Sequence, residues 1–138
     1  MHHPQTWRTQ ITTLCASSIT SREILGVDST LAVLQFAVLD PDRAQATEVA
    51  RIIVGSLAAL PAYRANLARM GFTNDDITQV TNLLIESVVA CGDTDVMLER
   101  VASHHAAGAD HVAIGLLSAD PASVPMASYR RLATELAP

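Results

Sequence analysis

The sequence predicts a helix-rich α/β domain, on three observations. Two nearly unbroken apolar runs, residues 31–39 and 111–117, read as strands buried on both faces, the habit of parallel sheets. Between them apolar residues recur at helical spacing. The helical stretches open on good N-cap residues and close on glycine. A chain of 138 residues has the length of one domain, and its 49% apolar content is enough to fill a core.

Taken in order, residues 1–20 show no clear period and mix threonine and serine with Ile11, Leu14 and Ile19. They read as a short helix or a loose arm. Ser21 to Gly26 reads as the last turn of a helix with Gly26 as its stop. Leu31–Leu39 follows, a strand by its length and its Val and Phe content, interrupted only by Gln35. Asp40-Pro41 reads as N-cap and first helical residue. That helix is expected to run through Val49, Ile52 and Ile53, with Gly55 or Pro61 as interruptions.

Tyr63–Met70 reads as a further helix ending at Gly71. Thr73-Asn-Asp-Asp76 resembles a capping box. The helix it opens carries Ile77, Val80, Leu83, Leu84 and Val88 and is expected to reach Gly92. Asp93 then caps a helix with Met97, Leu98, Val101 and Ala102 on its apolar face, and Gly108 sits where a left-handed stop is expected. His111–Leu117 is the second strand. Asp120-Pro121 and Pro125 break the chain before a last short helix over Tyr129–Leu136. A strand–helix–strand crossover in one sheet should be parallel and right-handed.

Composition excludes several classes of activity. No apolar run approaches the roughly 20 residues of a membrane span. No charged n-region precedes a long apolar stretch, so no signal peptide is visible and a cytoplasmic location is expected. The net charge is −5 and the aromatics are only Trp7, Phe36, Tyr63, Phe72 and Tyr129, a poor endowment for nucleic-acid binding. All nine basic residues are arginine, which excludes Schiff-base chemistry and a Walker A lysine within this chain. Cys15 and Cys91 lack the paired spacing of a disulfide framework or a zinc site.

The candidate chemical groups each have a simpler structural reading. His104, His105 and His111 form the densest titratable cluster. Adjacent helical residues diverge by about 100°, however, so helix-end histidines are expected rather than a metal site. Cys91 precedes a helix start, where a thiol pKa can fall, but has no histidine paired with it in sequence. A buried structural cysteine is expected. Asp75 and Asp76 read as caps before an acid/base pair. Gly92-Asp93 and Gly108 lack the spacing of a phosphate loop and read as helix punctuation. Arg130-Arg131 reads as a solvated helix face. No metal site is expected, and no catalytic or cofactor-binding residue can be assigned.

Three blocks together resemble the C-terminal part of the luciferase-like monooxygenase family, in the actinobacterial branch that uses the deazaflavin coenzyme F-420. The first is Glu23-Ile-Leu-Gly26 through Leu31–Leu39 to Asp40-Pro-Asp-Arg-Ala44. The second is Leu60-Pro-Ala-Tyr-Arg-Ala-Asn-Leu-Ala-Arg-Met-Gly-Phe72. The third is Leu84–Leu117, sharpest at Val-Val-Ala-Cys-Gly-Asp93 and Gly108-Ala-Asp-His-Val112. The resemblance spans residues 21–138, leaving residues 1–20 as a poorly matched arm. It departs from the family's habit at Ala62 (usually Asn), at Thr81-Asn82-Leu83 (usually charged) and at Cys91 (commonly Trp).

The resemblance implies that 31–39 and 111–117 are the seventh and eighth strands of a (β/α)8 TIM-type barrel, with an elaborated crossover between them. Such a barrel takes about 250 residues. Strands one to six, with most of the cofactor and substrate pocket, have no counterpart here. The implied activity is oxidoreduction with coenzyme F-420 or FMN, with no cofactor expected on the isolated chain. The expected partner is a second copy or a chain carrying the missing strands. The alternatives are a truncated remnant or a dimeric interaction module without catalysis.

Overall fold

The computed structural model describes residues 21–120 and 122–137. The N-terminal arm and Cys15 lie outside the described residues. Residues 21–25 are helical and Gly26 follows at positive φ. Strand β1 (Ala32–Leu39) leads to helices α1 (Arg43–Ala58), α2 (Pro61–Arg69), α3 (Asn74–Gln79) and α4 (Asn82–Val88). Then come β2 (Val89–Gly92), α5 (Thr94–Ala106), β3 (His111–Leu116) and α6 (Met126–Leu136). No described helix is long and apolar enough to cross a membrane.

The sheet is parallel, in the order β2-β1-β3. Phe36 to Leu39 pair with Val89 to Gly92, while Ala32 to Ala37 pair with His111 to Leu116. Because side chains alternate along a strand, β1 feeds two cores. Val38, Val89 and Cys91 face α1–α4, where Ala46, Ala50, Val54, Leu67, Phe72, Ile77, Leu84 and Ile85 are buried. Ala37, Ala90 and Leu116 face the other way, onto Met97 of α5 and Leu132 of α6. Helix therefore packs on both faces of the sheet's carboxyl-terminal half, as in a doubly wound sheet.

The α/β reading holds, and the structure corrects it in three places. First, the described residues form three strands rather than two. Residues 74–92 do not form one helix. Asp76 completes the capping box with Thr73, and then Val80 turns left-handed at φ 49. Thr81 caps a second short helix. The run Val89-Ala90-Cys91 leaves that helix to become β2, with all four of its residues buried. β-branched residues lose rotamer freedom in a helix and gain packing in a sheet. A left-handed valine is unusual. Arg51 holds it in place, donating to the Val80 carbonyl and the Asn82 side-chain oxygen.

Second, neither long strand is buried along its whole length. In β1 the burial begins at Gln35, and in β3 His111 and Ala113 are exposed. Third, Asp42 rather than Asp40 caps α1, accepting from the Ala44 and Gln45 amides. Asp40 accepts from the Asp42 amide instead. Gly55 lies inside α1, and Pro61 opens α2 as an N-terminal proline. The last helix starts earlier than predicted, at Met126.

The turn from β2 into α5 shows why glycine is required at its hinge. Gly92 has φ +146, and a Cβ there would lie 2.9 Å from Cγ2 of Val96. Asp93 accepts from the Val96 amide directly beyond. Gly92→Ala is expected to cost about 2 kcal/mol through combined backbone strain and overlap. The measurement is a fall in the urea midpoint at unchanged slope.

Candidate functional site

The histidines do not converge. His104 is buried under the sheet at 3% exposure, whereas His111 is exposed at the start of β3. The His105 ring, Nδ1, bonds the Ala109 carbonyl at 2.9 Å across the helix end. No group of three metal-ligating side chains occurs among the described residues. The Cys91 thiol is buried, and desolvation pushes its pKa up to about 11, against the pull of Arg100 and Arg43. It is a thiol at neutral pH, not a nucleophile.

The two adjacent carboxylates also have different positions. Asp75 is exposed in the first turn of α3. Asp76 accepts from the Thr73 amide at 3.2 Å, the Thr73 hydroxyl at 2.9 Å and the Thr81 hydroxyl at 3.1 Å. Arg130 and Arg131 are exposed on α6.

The structure instead assembles a polar group inside the α5 face of the sheet. Gln35 was the one break in the apolar run of β1, and it is buried at 4% exposure. Its Nε2 donates to the Phe36 carbonyl at 2.7 Å and the Val88 carbonyl at 3.0 Å. Those two acceptors fix the amide's orientation, so Oε1 is the atom 2.8 Å from Nε2 of His104. An amide oxygen only accepts. His104 must therefore carry its proton on Nε2, and Nδ1 is a bare acceptor. That Nδ1 is buried with no hydrogen-bond partner among the described residues.

Arg100, one helical turn before His104, is 7% exposed. Its guanidinium donates to the Glu86 carbonyl at 2.8 Å and the Ser87 carbonyl at 3.2 Å. It thus serves the end of α4, whose last carbonyls have no partner within the helix. Met97, Arg100 and His104 form the buried stripe of α5. Burial holds the imidazole of His104 below its ordinary pKa, helped by the charges of Arg100 and His105.

Beside this group is an open cavity of ≈ 300 Å³. It lies along Ala32–Gln35 of β1, with Asn66 and Met70 on one side and His104 on the other. At the amino ends of the strands, Arg22 clasps the approach to β1. It donates to the carbonyls of Gly26 at 2.8 Å, Ser29 at 2.6 Å and Gly108 at 3.0 Å, and pairs with Asp110. Asp110 also accepts from the Leu31 amide at 2.9 Å. That bond, with Arg22 second, holds the carboxyl below its usual range.

At the carboxyl ends the acids are occupied by turns. Asp42 and Asp93 cap helices, and Asp120 accepts from the Ala122 amide at 3.0 Å. Compared with known protein families, with characterised proteins and with solved structures, the chain matches none. Sequence reading missed Gln35, Arg100 and Arg22 as a set, because each acts on a carbonyl or side chain far away in the chain. The signal that was available is the amide inside an apolar strand.

A pH dependence follows from His104. Its folded pKa is depressed, so the unfolded chain binds the proton more readily. Its contribution is whole above about pH 6.5 and is lost as the pH falls toward the folded value. His104→Gln keeps a donor toward Gln35 and does not titrate. Urea unfolding at about pH 7.5 and about pH 5.5 is expected to show a drop for the native chain and a smaller drop for the variant. The contribution of Asp110, whose carboxyl is also held below its ordinary range, is whole at both of these pH values and is lost only as the pH falls below the ordinary carboxylate range.

Proposed function

We propose that this chain is an assembly unit rather than a self-contained enzyme, and that it works by joining a second chain. One observation carries the reading. On the α1 side, the amino-terminal half of the sheet is bare: Ala32, Leu34, His111 and Ala113 share that face and all are exposed. Leu34 is 60% exposed, and the segment leading into β1 adds Ile24 at 80% and Val27 at 90%. Clustered exposed apolar residues mark interaction surfaces, and a bare sheet face is a liability until covered. The titratable side chains support the same view, since caps, turns and buried carbonyls account for Asp42, Asp76, Asp93 and Arg100.

A second reading makes the chain one half of a luciferase-like oxidoreductase. The other chain would supply the remaining strands, and coenzyme F-420 or FMN would bind the complex. The sequence resemblance supports it, as does one feature of the fold: β1 and β3 are adjacent and parallel, the relation that the last two strands of a barrel hold. Helix on both faces of the sheet favours the first reading, because barrel strands carry helices only on their outer face.

Light scattering after size exclusion at micromolar concentration tests both, together with fluorescence titration by oxidised and reduced coenzyme F-420 and by FMN. The expected result is a mass of at least two chains and no cofactor binding. A strict monomer would remove self-assembly. Cofactor binding by this chain alone would favour the oxidoreductase reading.

A further inference from the structure

We infer that residues 9–20 of this chain occupy the cavity beside β1 and cover the edge of Ala32–Gln35, as a plug supplied by the same molecule. The inference goes beyond the assembly reading and does not rest on it. His111 and Ala113 of the bare face belong to β3, which lies on the other side of β1 and lines no part of the cavity. In a parallel ladder each residue directs both its N–H and its C=O to the same side, and successive residues alternate. The amides of His111 and Leu117 donate to the carbonyls of Leu31 and Ala37, so the even-numbered residues of β1 serve the β2 side. Pairing with β2 starts only at Phe36. Among the described residues, no strand stands opposite Ala32 and Leu34 there.

Three observations select the chain's own segment for that place. The first is continuity. Ser21, which follows the segment directly, already lines the cavity. A segment joined to its site has an effective concentration on the order of millimolar, so a separate chain must bind far more tightly to take its place. The second is charge. Beyond its own strand the cavity is lined by Ser21, Asn66, Met70, Val88 and His104, of which only His104 titrates, and burial lowers its pKa. Residues 9–20 (TQITTLCASSIT) carry no charge. Such a segment enters the site without desolvating an ion.

The third is a missing donor. Nδ1 of His104 is a buried acceptor with no partner among the described residues. The segment brings hydroxyls at Thr9, Thr12, Thr13, Ser17, Ser18 and Thr20, each able to donate. Its length is ample, because Ala32–Gln35 spans about 13 Å at the rise of a strand, the reach of about four extended residues. The plug withholds the edge of β1 from other chains and leaves assembly to the face of the sheet.

Paramagnetic NMR on the full chain tests this. A nitroxide attached at Thr13→Cys, with Cys15→Ser, marks the segment; Cys91 is buried and its thiol stays protonated. Broadening should be strongest at the amides of Ala32–Gln35, Asn66 and Met70 and weak along α6. Ile19→Asp, which places a charge in the segment beside Ser21, should abolish that pattern. Asn66→Asp, an exposed position on the opposite wall, should weaken it. In a mixture of spin-labelled chain with isotope-labelled, spin-free chain, the cavity amides of the spin-free chain should stay sharp.

Broadening of those amides in the mixture as strong as within one chain would overturn the proposal, since the segment would then be seated on another copy. So would broadening within one chain that is absent or spread evenly. A strict monomer with the expected broadening would remove self-assembly and leave the plug in place.

Discussion

The hydrogen bond between Gln35 and His104 is the constraint around which the sheet and its helices are arranged. Burying an amide and an imidazole is costly unless each finds a partner. The Gln35 oxygen accepts from Nε2 of His104 at 2.8 Å, and both of the amide's hydrogens go to the Phe36 and Val88 carbonyls. The result ties three elements at one point: β1 through Gln35, the start of β2 through Val88, and α5 through His104. One turn earlier on α5, Arg100 adds the end of α4 to the same assembly. An apolar contact between α5 and β1 could slide by a residue or rotate; the bonds of the Gln35 amide to His104 and to the two carbonyls hold one register.

The same arrangement explains where the fold is closed and where it is open. Above Gln35, β1 is flanked by β2 and covered on both faces, and Ala37 and Val38 are buried. Below it, β2 has ended, α1 no longer covers the sheet, and Leu34 stands out at 60% exposure. Arg22 and Asp110 hold that lower half in place from the strand ends, without covering its face. On the outer edge of β3, Tyr129 of α6 accepts from the Leu116 amide at 2.9 Å, which blunts the edge at one position. The chain thus builds one well-filled half and one half suited to contact.

Much of the fold was legible because it rests on local rules. Asp93, Thr73 and Gly108 acted as cap, capping box and stop, each within a few residues of the atoms they serve. Both long strands were visible in their apolar runs. The third was not, because Val89-Ala90-Cys91 continues the helical spacing of Leu84 and Val88. Only the left-handed Val80 and the second cap at Thr81 divide that segment, and neither leaves a clear local mark. Burial of the strands was overread for a related reason: an apolar run reports what a strand can bury, whereas the length of β2 and the position of α1 decide what it does bury. The polar group at Gln35, Arg100 and His104 joins residues up to 69 positions apart, and no spacing rule connects them.

The central claim is that Gln35 and His104 act as a pair, and a double-mutant cycle of Gln35→Leu and His104→Leu by urea unfolding tests it most directly. Each single change leaves a buried polar group without its partner and should cost about 2 kcal/mol. The double variant removes both groups, so it should be less destabilised than the two costs together by at least about 1 kcal/mol. Additivity within about 0.5 kcal/mol would show the two residues to be independent and would contradict the account.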